Sequence, residues 1–175
     1  MDKFEQMEPE FSIEIGTITR LTDADLMRIY EMTQAKVQAK KEYDIDQTFF
    51  GKFGSSFEME KLSIGAEFSF ARQLGVGDIT TEDAVNNRPY DFKICGKTID
   101  IKSTLTKDAR LFVRAGKQFY CDWFLLFFRI DLRTFKFLGA AKKEELISDK
   151  TLNVPKGFKG QVYNLTQDKL KDFSL

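Results

Sequence analysis

Apolar residues recur at helical spacing in two stretches of the first half of the chain. In LTDADLMRIYEMTQAKVQAKKEYD the pattern predicts a helix from Asp23 to Lys41, with Thr22 or Asp23 as N-cap and Leu26, Ile29, Tyr30 and Val37 facing the core. In SSFEMEKLSIGAEFSFARQLG, Met59, Leu62, Ala66, Phe70 and Leu74 keep the same period, with Ser55 or Ser56 as cap and Gly75 as terminator. A polar connection follows over residues 75–89. Beyond it the period changes to two: RPYDFKICGKTIDIKST reads as a hairpin, and RLFVR, DWFLLFFRID and TFKFLGAA read as strands. KKEELISDK reads as a short helix, and GFKGQVYNLTQDKLKDF as a last short strand with a helical tail. Helices followed by antiparallel strands predict one domain of α/β class, an α+β mixed sheet. Its expected parts are a helical extension over 1–54, a core over 55–147 and a strand-and-helix tail over 148–175.

Gly96-Lys97 suits a two-residue turn with glycine in its first central position. That turn sets Ile94 opposite Ile99, Lys93 opposite Asp100, Phe92 opposite Ile101 and Asp91 opposite Lys102. Side chains alternate along strands, so Phe92, Ile94, Ile99 and Ile101 share an apolar face. Asp91, Lys93, Asp100 and Lys102 share the other.

Composition narrows the classes of function. With 42% hydrophobic residues and 18 Phe, a large aromatic core is expected and disorder is not. The longest strongly apolar run, Trp123 to Phe128, is too short to cross a bilayer. The opening MDKFEQMEPEF lacks a signal-peptide pattern, and Cys95 and Cys121 show no paired spacing, so a reduced, cytoplasmic protein is expected. There is no histidine, which removes Ser-His-Asp and Cys-His nucleophilic catalysis and HExxH metalloprotease chemistry. Hydrolysis here must use carboxylates, lysine and metal-bound water, and such ligands favour Mg²⁺ or Mn²⁺ over zinc. Net charge is zero, yet residues 1–50 hold 6 Lys/Arg against 11 Asp/Glu, while residues 91–143 hold 12 against 5. A basic segment of this kind attracts a polyanion.

Two readings compete for the polar face of the hairpin. One is a solvated surface with cross-strand ion pairs, each contributing ~0.2–1 kcal/mol. The other is a carboxylate pair that holds a divalent cation, with a lysine placed to orient an attacking water. DFKICGKT ends like a phosphate-binding P-loop, but that motif needs glycine where Asp91 stands and a helix where a strand follows.

Asp91, eight intervening residues and then Asp100-Ile101-Lys102, with Glu67 on the preceding helix in GAEFSFARQLG, resembles the PD-(D/E)XK nuclease superfamily. The resemblance spans roughly residues 55–147 and implies a restriction-endonuclease-like core. Arg88-Pro89-Tyr90-Asp91 departs from it by placing a Tyr between Pro and Asp. A second departure lies downstream, where the family crosses from its third strand to its fourth through a helix, and only Ala115 to Cys121 separates RLFVR from DWFLLFF. The resemblance implies a nuclease that uses Mg²⁺ or Mn²⁺ to hydrolyse DNA phosphodiester bonds, with RNA left open as substrate. Asp91, Asp100 and the Ile101 carbonyl would hold metal, Glu67 would complete the site directly or through water, and Lys102 would position or activate the attacking water.

Lys93, Arg114, Lys117 and Gln118 are candidates for contacting substrate, each with a surface role as the bland alternative. No membrane partner is expected, and homodimerisation stays open. The alternative function is a catalytically inactive nucleic-acid-binding or regulatory module on the same fold. A third is a protein-interaction domain whose acidic N-terminal helix docks a partner.

Overall fold

The structure, a computed structural model, describes residues 11–42, 56–77, 79–86, 88–116, 120–156 and 160–175. In chain order its elements are β1 (Ser12–Ile13), β2 (Ile18–Arg20), α1 (Asp23–Glu42), α2 (Ser56–Leu74), α3 (Thr81–Val85), β3 (Phe92–Ile94), β4 (Lys97–Thr104) and β5 (Leu111–Arg114). Then come β6 (Trp123–Arg129), β7 (Thr134–Lys142), α4 (Lys143–Leu146), β8 (Leu152–Asn153), β9 (Val162–Leu165), a 3-10 turn (Gln167–Lys169) and β10 (Phe173–Ser174). The fold is mixed α+β.

Five strands form the main sheet in the order β2-β7-β6-β4-β3. Its centre is a parallel ladder from Ile99↔Trp123 to Thr104↔Phe128 between β4 and β6, flanked by antiparallel pairs. The sheet is mixed, as expected from the sequence. The segment RLFVR does not belong to this sheet at all. As β5 it pairs with β9 in a second, three-stranded sheet completed by β8, so the chain's parallel step runs from β4 to β6 with β5 lying in between. Asp122 fastens the start of this ladder: its Oδ2 accepts the Thr98 N–H at 2.8 Å and the Thr98 hydroxyl at 2.9 Å.

The main sheet is covered on both faces, which is why WFLLFF lacks alternation. Ile99, Ile101, Trp123, Leu125, Phe127, Phe135 and Phe137 pack with Leu62, Ala66 and Phe70 of α2 in one buried cluster. Phe124, Leu126, Leu138 and Ala141 pack with Leu111 and Val113 of β5 and Leu146 of α4 in another. Helix α2 approaches the sheet closely at Gly65, where a Cβ would stand 2.6 Å from Phe135 Cζ.

Helix α1 starts with a capping box in which Thr22 Oγ1 accepts the Asp25 N–H and Asp25 Oδ2 accepts the Thr22 N–H. Its buried positions are Asp25, Ile29, Met32 and Thr33, whereas Tyr30, expected inward, is 49% exposed. Asp25 also accepts from Arg72, which clasps α1 to α2. Three further differences concern polar stretches. The expected loop over 75–89 contains α3, started by a Thr80–Asp83 capping box. The expected helical tail is one 3-10 turn followed by β10, which pairs with β1. Strand β2, within the expected helical extension, forms an edge of the main sheet.

The hairpin register differs by two residues from the expectation: Phe92 pairs with Ile99, Lys93 with Thr98 and Ile94 with Lys97. The turn residues are Cys95 and Gly96, both with positive φ at 48° and 75°, the geometry of a type I′ turn. A shift of two leaves every side chain on its face, so the pattern of apolar and polar residues is satisfied by either register.

Gly65→Ala is expected to lower stability by ~1–3 kcal/mol in urea unfolding, because the intrusion into a buried Phe135 outweighs alanine's better helix propensity of ~1 kcal/mol. Unchanged stability would mean that Phe135 yields freely.

Candidate active site

A cleft of about 1350 Å³ opens between α1, α2, the segment around α3 and the β3–β4 hairpin. Glu67, Asp91 and Lys102 line it, with Lys93 at the hairpin. Each arrives for a local reason. Glu67 follows the buried Ala66 on α2 and is itself only 7% exposed, with Ser63 Oγ 3.4 Å from its Oε1. Asp100 and Lys102 alternate with Ile99 and Ile101 on β4, which sends them to the face opposite α2.

Asp91 sits where the β3–β4 ladder ends. Its backbone N–H donates to the Ile99 carbonyl, and its Oδ2 accepts the Ile101 N–H at 2.6 Å, taking the position a partner strand's carbonyl would hold. Its carboxylate is thus turned inward although the residue as a whole is half-buried. In a strand a residue's N–H and C=O point to the same side, so the Ile101 carbonyl faces the Asp91 side, past the end of β3.

The electrostatics are those of crowded acids. Burial raises Glu67 above the ordinary glutamate value, with Glu60 and Asp100 adding to it and Lys36 opposing. Burial, then Glu67 and Asp100, push Asp91 well above the usual aspartate value, although the Ile101 N–H and Lys102 pull the other way. Lys102 Nζ is 2.5 Å from Asp100 Oδ2, a close ion pair. Burial works against the Lys102 ammonium, but Asp100 and Asp91 outweigh it and hold it above the ordinary lysine value. Lys102 is therefore a cation at neutral pH. Cys121, whose thiol donates to the Pro89 carbonyl at 3.3 Å, is pushed up to about 12 by burial and by Asp100 and Asp91, so it is no nucleophile.

Of the residues singled out from sequence, Glu67, Asp91, Lys93 and Lys102 share the cleft. Asp100 abuts Lys102 but does not line the cleft. Arg114 lies on β5 in the second sheet, outside it. Lys117 and Gln118 lie outside the described residues. Two participants escaped the sequence reading. Lys36 on α1 and Glu60 on α2 pair at 3.1 Å on the cleft wall, and Lys40 also contacts Glu60. Burial would raise Glu60, but Lys36 and Lys40 hold it below the ordinary glutamate value. Their signal was charge in phase with an apolar stripe: Lys36 and Lys40 continue the row of Ile29 and Met32, and Glu60 that of Ile64.

Among the described residues, no group of three or more acidic, cysteine or histidine side chains is arranged to hold a metal ion as it stands. Mg²⁺, however, is commonly bound through one or two carboxylates, with water and substrate phosphate completing its shell. The donors fit that habit: hard oxygens only, with Glu67 and Asp91 crowded so that their charge is disfavoured. No helix among the described residues is long and apolar enough to cross a membrane. Comparison of the chain with protein-family models, with curated proteins and with solved structures finds no match.

Because the folded-state pKa of Asp91 is raised, its contribution to stability is fully present below about pH 4, the unfolded value, and is lost as pH rises through the folded value. Asp91→Asn keeps an acceptor for the Ile101 N–H and removes the charge. In EDTA it should match the wild type near pH 4 and exceed it at pH 8 in urea unfolding. A less stable variant at pH 8 would mean that the ionised carboxylate is net stabilising.

Proposed function

We propose that this protein is a metal-dependent nuclease that hydrolyses DNA phosphodiester bonds on a restriction-endonuclease-like core, with its site in the cleft described above. One observation carries the reading: Glu67 and Asp91, from different elements, are both turned inward, and burial and mutual crowding disfavour their charge. Such an arrangement lowers stability at neutral pH, and perturbed acids in a cleft are characteristic of functional sites. The mixed sheet supports the reading too, since the parallel step from β4 to β6 follows directly on the DxK strand.

Asp91, Asp100 and the Ile101 carbonyl would hold Mg²⁺ or Mn²⁺, with Glu67 completing the set directly or through water. The ion would supply charge stabilisation at the scissile phosphate and lower the pKa of a water. The remaining work falls to the chain's own residues. Lys102, kept protonated by Asp100 and Asp91, orients the water and stabilises negative charge on the phosphoryl oxygens, and it does not accept a proton. Water adds to phosphorus, the bond to the leaving sugar oxygen breaks, and the proton released by the water returns to that oxygen. Lys93 at the cleft and the basic excess of residues 91–143 favour a polyanionic substrate.

A second reading rests on the Lys102–Asp100 contact and on the absence of a ready three-ligand group among the described residues. In it the charges balance one another, and the chain is an inactive nucleic-acid-binding or regulatory module. Incubating supercoiled and linear DNA with Mg²⁺, Mn²⁺ or EDTA separates the two. Cutting that needs the metal and falls ~10²-fold or more in Lys102→Ala and Asp100→Ala is the expected result. Absence of cutting together with no cation bound in calorimetry would establish the silent module.

A further inference from the structure

A charged residue stands on the face of α1 that turns toward α2. Ile29, Met32 and Thr33 are buried there, and Lys36 follows one turn on. Drawing an ammonium partly out of water is unfavourable unless anions meet it. Glu60 meets Lys36 at 3.1 Å, yet Glu60 is also contacted by Lys40 and so is already compensated. Seven residues beyond Glu60 on the same helix stands Glu67, and Lys36, Glu67 and Asp91 line one cleft. Among the described residues, neither Glu67 nor Asp91 is in an ion pair of the kind that Glu60 makes with Lys36 and Lys40, Asp100 with Lys102 and Asp83 with Arg88.

We propose that Lys36 is the resident counter-cation of the Glu67–Asp91 pair, and that a divalent cation bound by the pair competes with its ammonium. The inference rests on reading that pair as part of a cation site. Glu60 anchors Lys36 at the cleft wall, and the flexible four-carbon stem lets the ammonium withdraw from the pair without leaving Glu60. A role as a phosphate contact is the rival account, and the test separates the two.

The test is Mn²⁺ titration of the full chain by calorimetry without nucleic acid, together with thermal melts in EDTA and in Mn²⁺. Lys36→Gln should bind Mn²⁺ about fivefold more tightly or better, within the range of ordinary site-to-site coupling. Lys36→Arg and Lys40→Gln should stay near wild type. In EDTA Lys36→Gln should melt lower than wild type, and Mn²⁺ should raise its Tm by more. Lys36→Met, which keeps the packing of the stem, replaces the glutamine variant should that fail to fold. Mn²⁺ affinity in Lys36→Gln equal to or below that of a wild type that does bind would overturn the proposal alone. Unchanged Mn²⁺ affinity with weakened binding of a DNA oligonucleotide in EDTA would reassign Lys36 to substrate. If neither wild type nor variant binds Mn²⁺, the cation reading of the cluster fails, and this inference with it.

Discussion

The parallel ladder between β4 and β6 is the constraint on which the rest of the molecule depends. It buries Ile99 and Ile101 beneath α2 and thereby sends Asp100 and Lys102 to the opposite face. It also carries β4 beyond the end of the short β3, leaving backbone groups of Ile101 without a strand partner on that side. Asp91 fills this gap with a carboxylate. The position of the site is thus set by where one strand of a hairpin stops before the other.

Charge is distributed unevenly along the cleft. Glu60 is over-compensated by two lysines, whereas Glu67 and Asp91 are left crowded and only partly screened. On the other side Lys102 is held firmly by Asp100. A cleft built only for stability would replace such groups with apolar ones, since buried charge seldom repays its desolvation. The same imbalance suits a guest that brings positive charge, or positive charge together with a phosphate. Helix α1 is part of this arrangement, because Lys36 and Lys40 join it to α2 through Glu60.

Much of the candidate site was legible because its members obey short periods. Alternation along Ile99-Asp100-Ile101-Lys102 assigns faces without any knowledge of neighbours, and the stripe of α2 places Glu67 beside buried residues. Lys36 and Glu60 were not legible, because a lysine or glutamate in phase with an apolar stripe reads as surface until the opposing helix is known. Tyr30 failed for the converse reason: an aromatic in a helix was read as core, although the α1 surface that meets α2 is centred on Ile29 and Met32. The substrate candidate Arg114 shared a local strand pattern with the site but went with β5 into another sheet.

By itself, then, the amino-acid sequence determined the two long helices, most of the strands, the two faces of the hairpin and the acids and lysine that share a cleft or abut it. These follow from local periodicity, which needs only backbone geometry. The alternating pattern left the register of the hairpin open, since a slip of two preserves every face, and the structure settles it with a turn at Cys95 and Gly96. Tertiary structure alone decided that β4 and β6 run parallel, that RLFVR leaves the main sheet, and that Lys36 meets Glu60. Those choices depend on pairing between segments far apart in the chain, and no local pattern encodes which partner a strand edge or a half-buried charge will find.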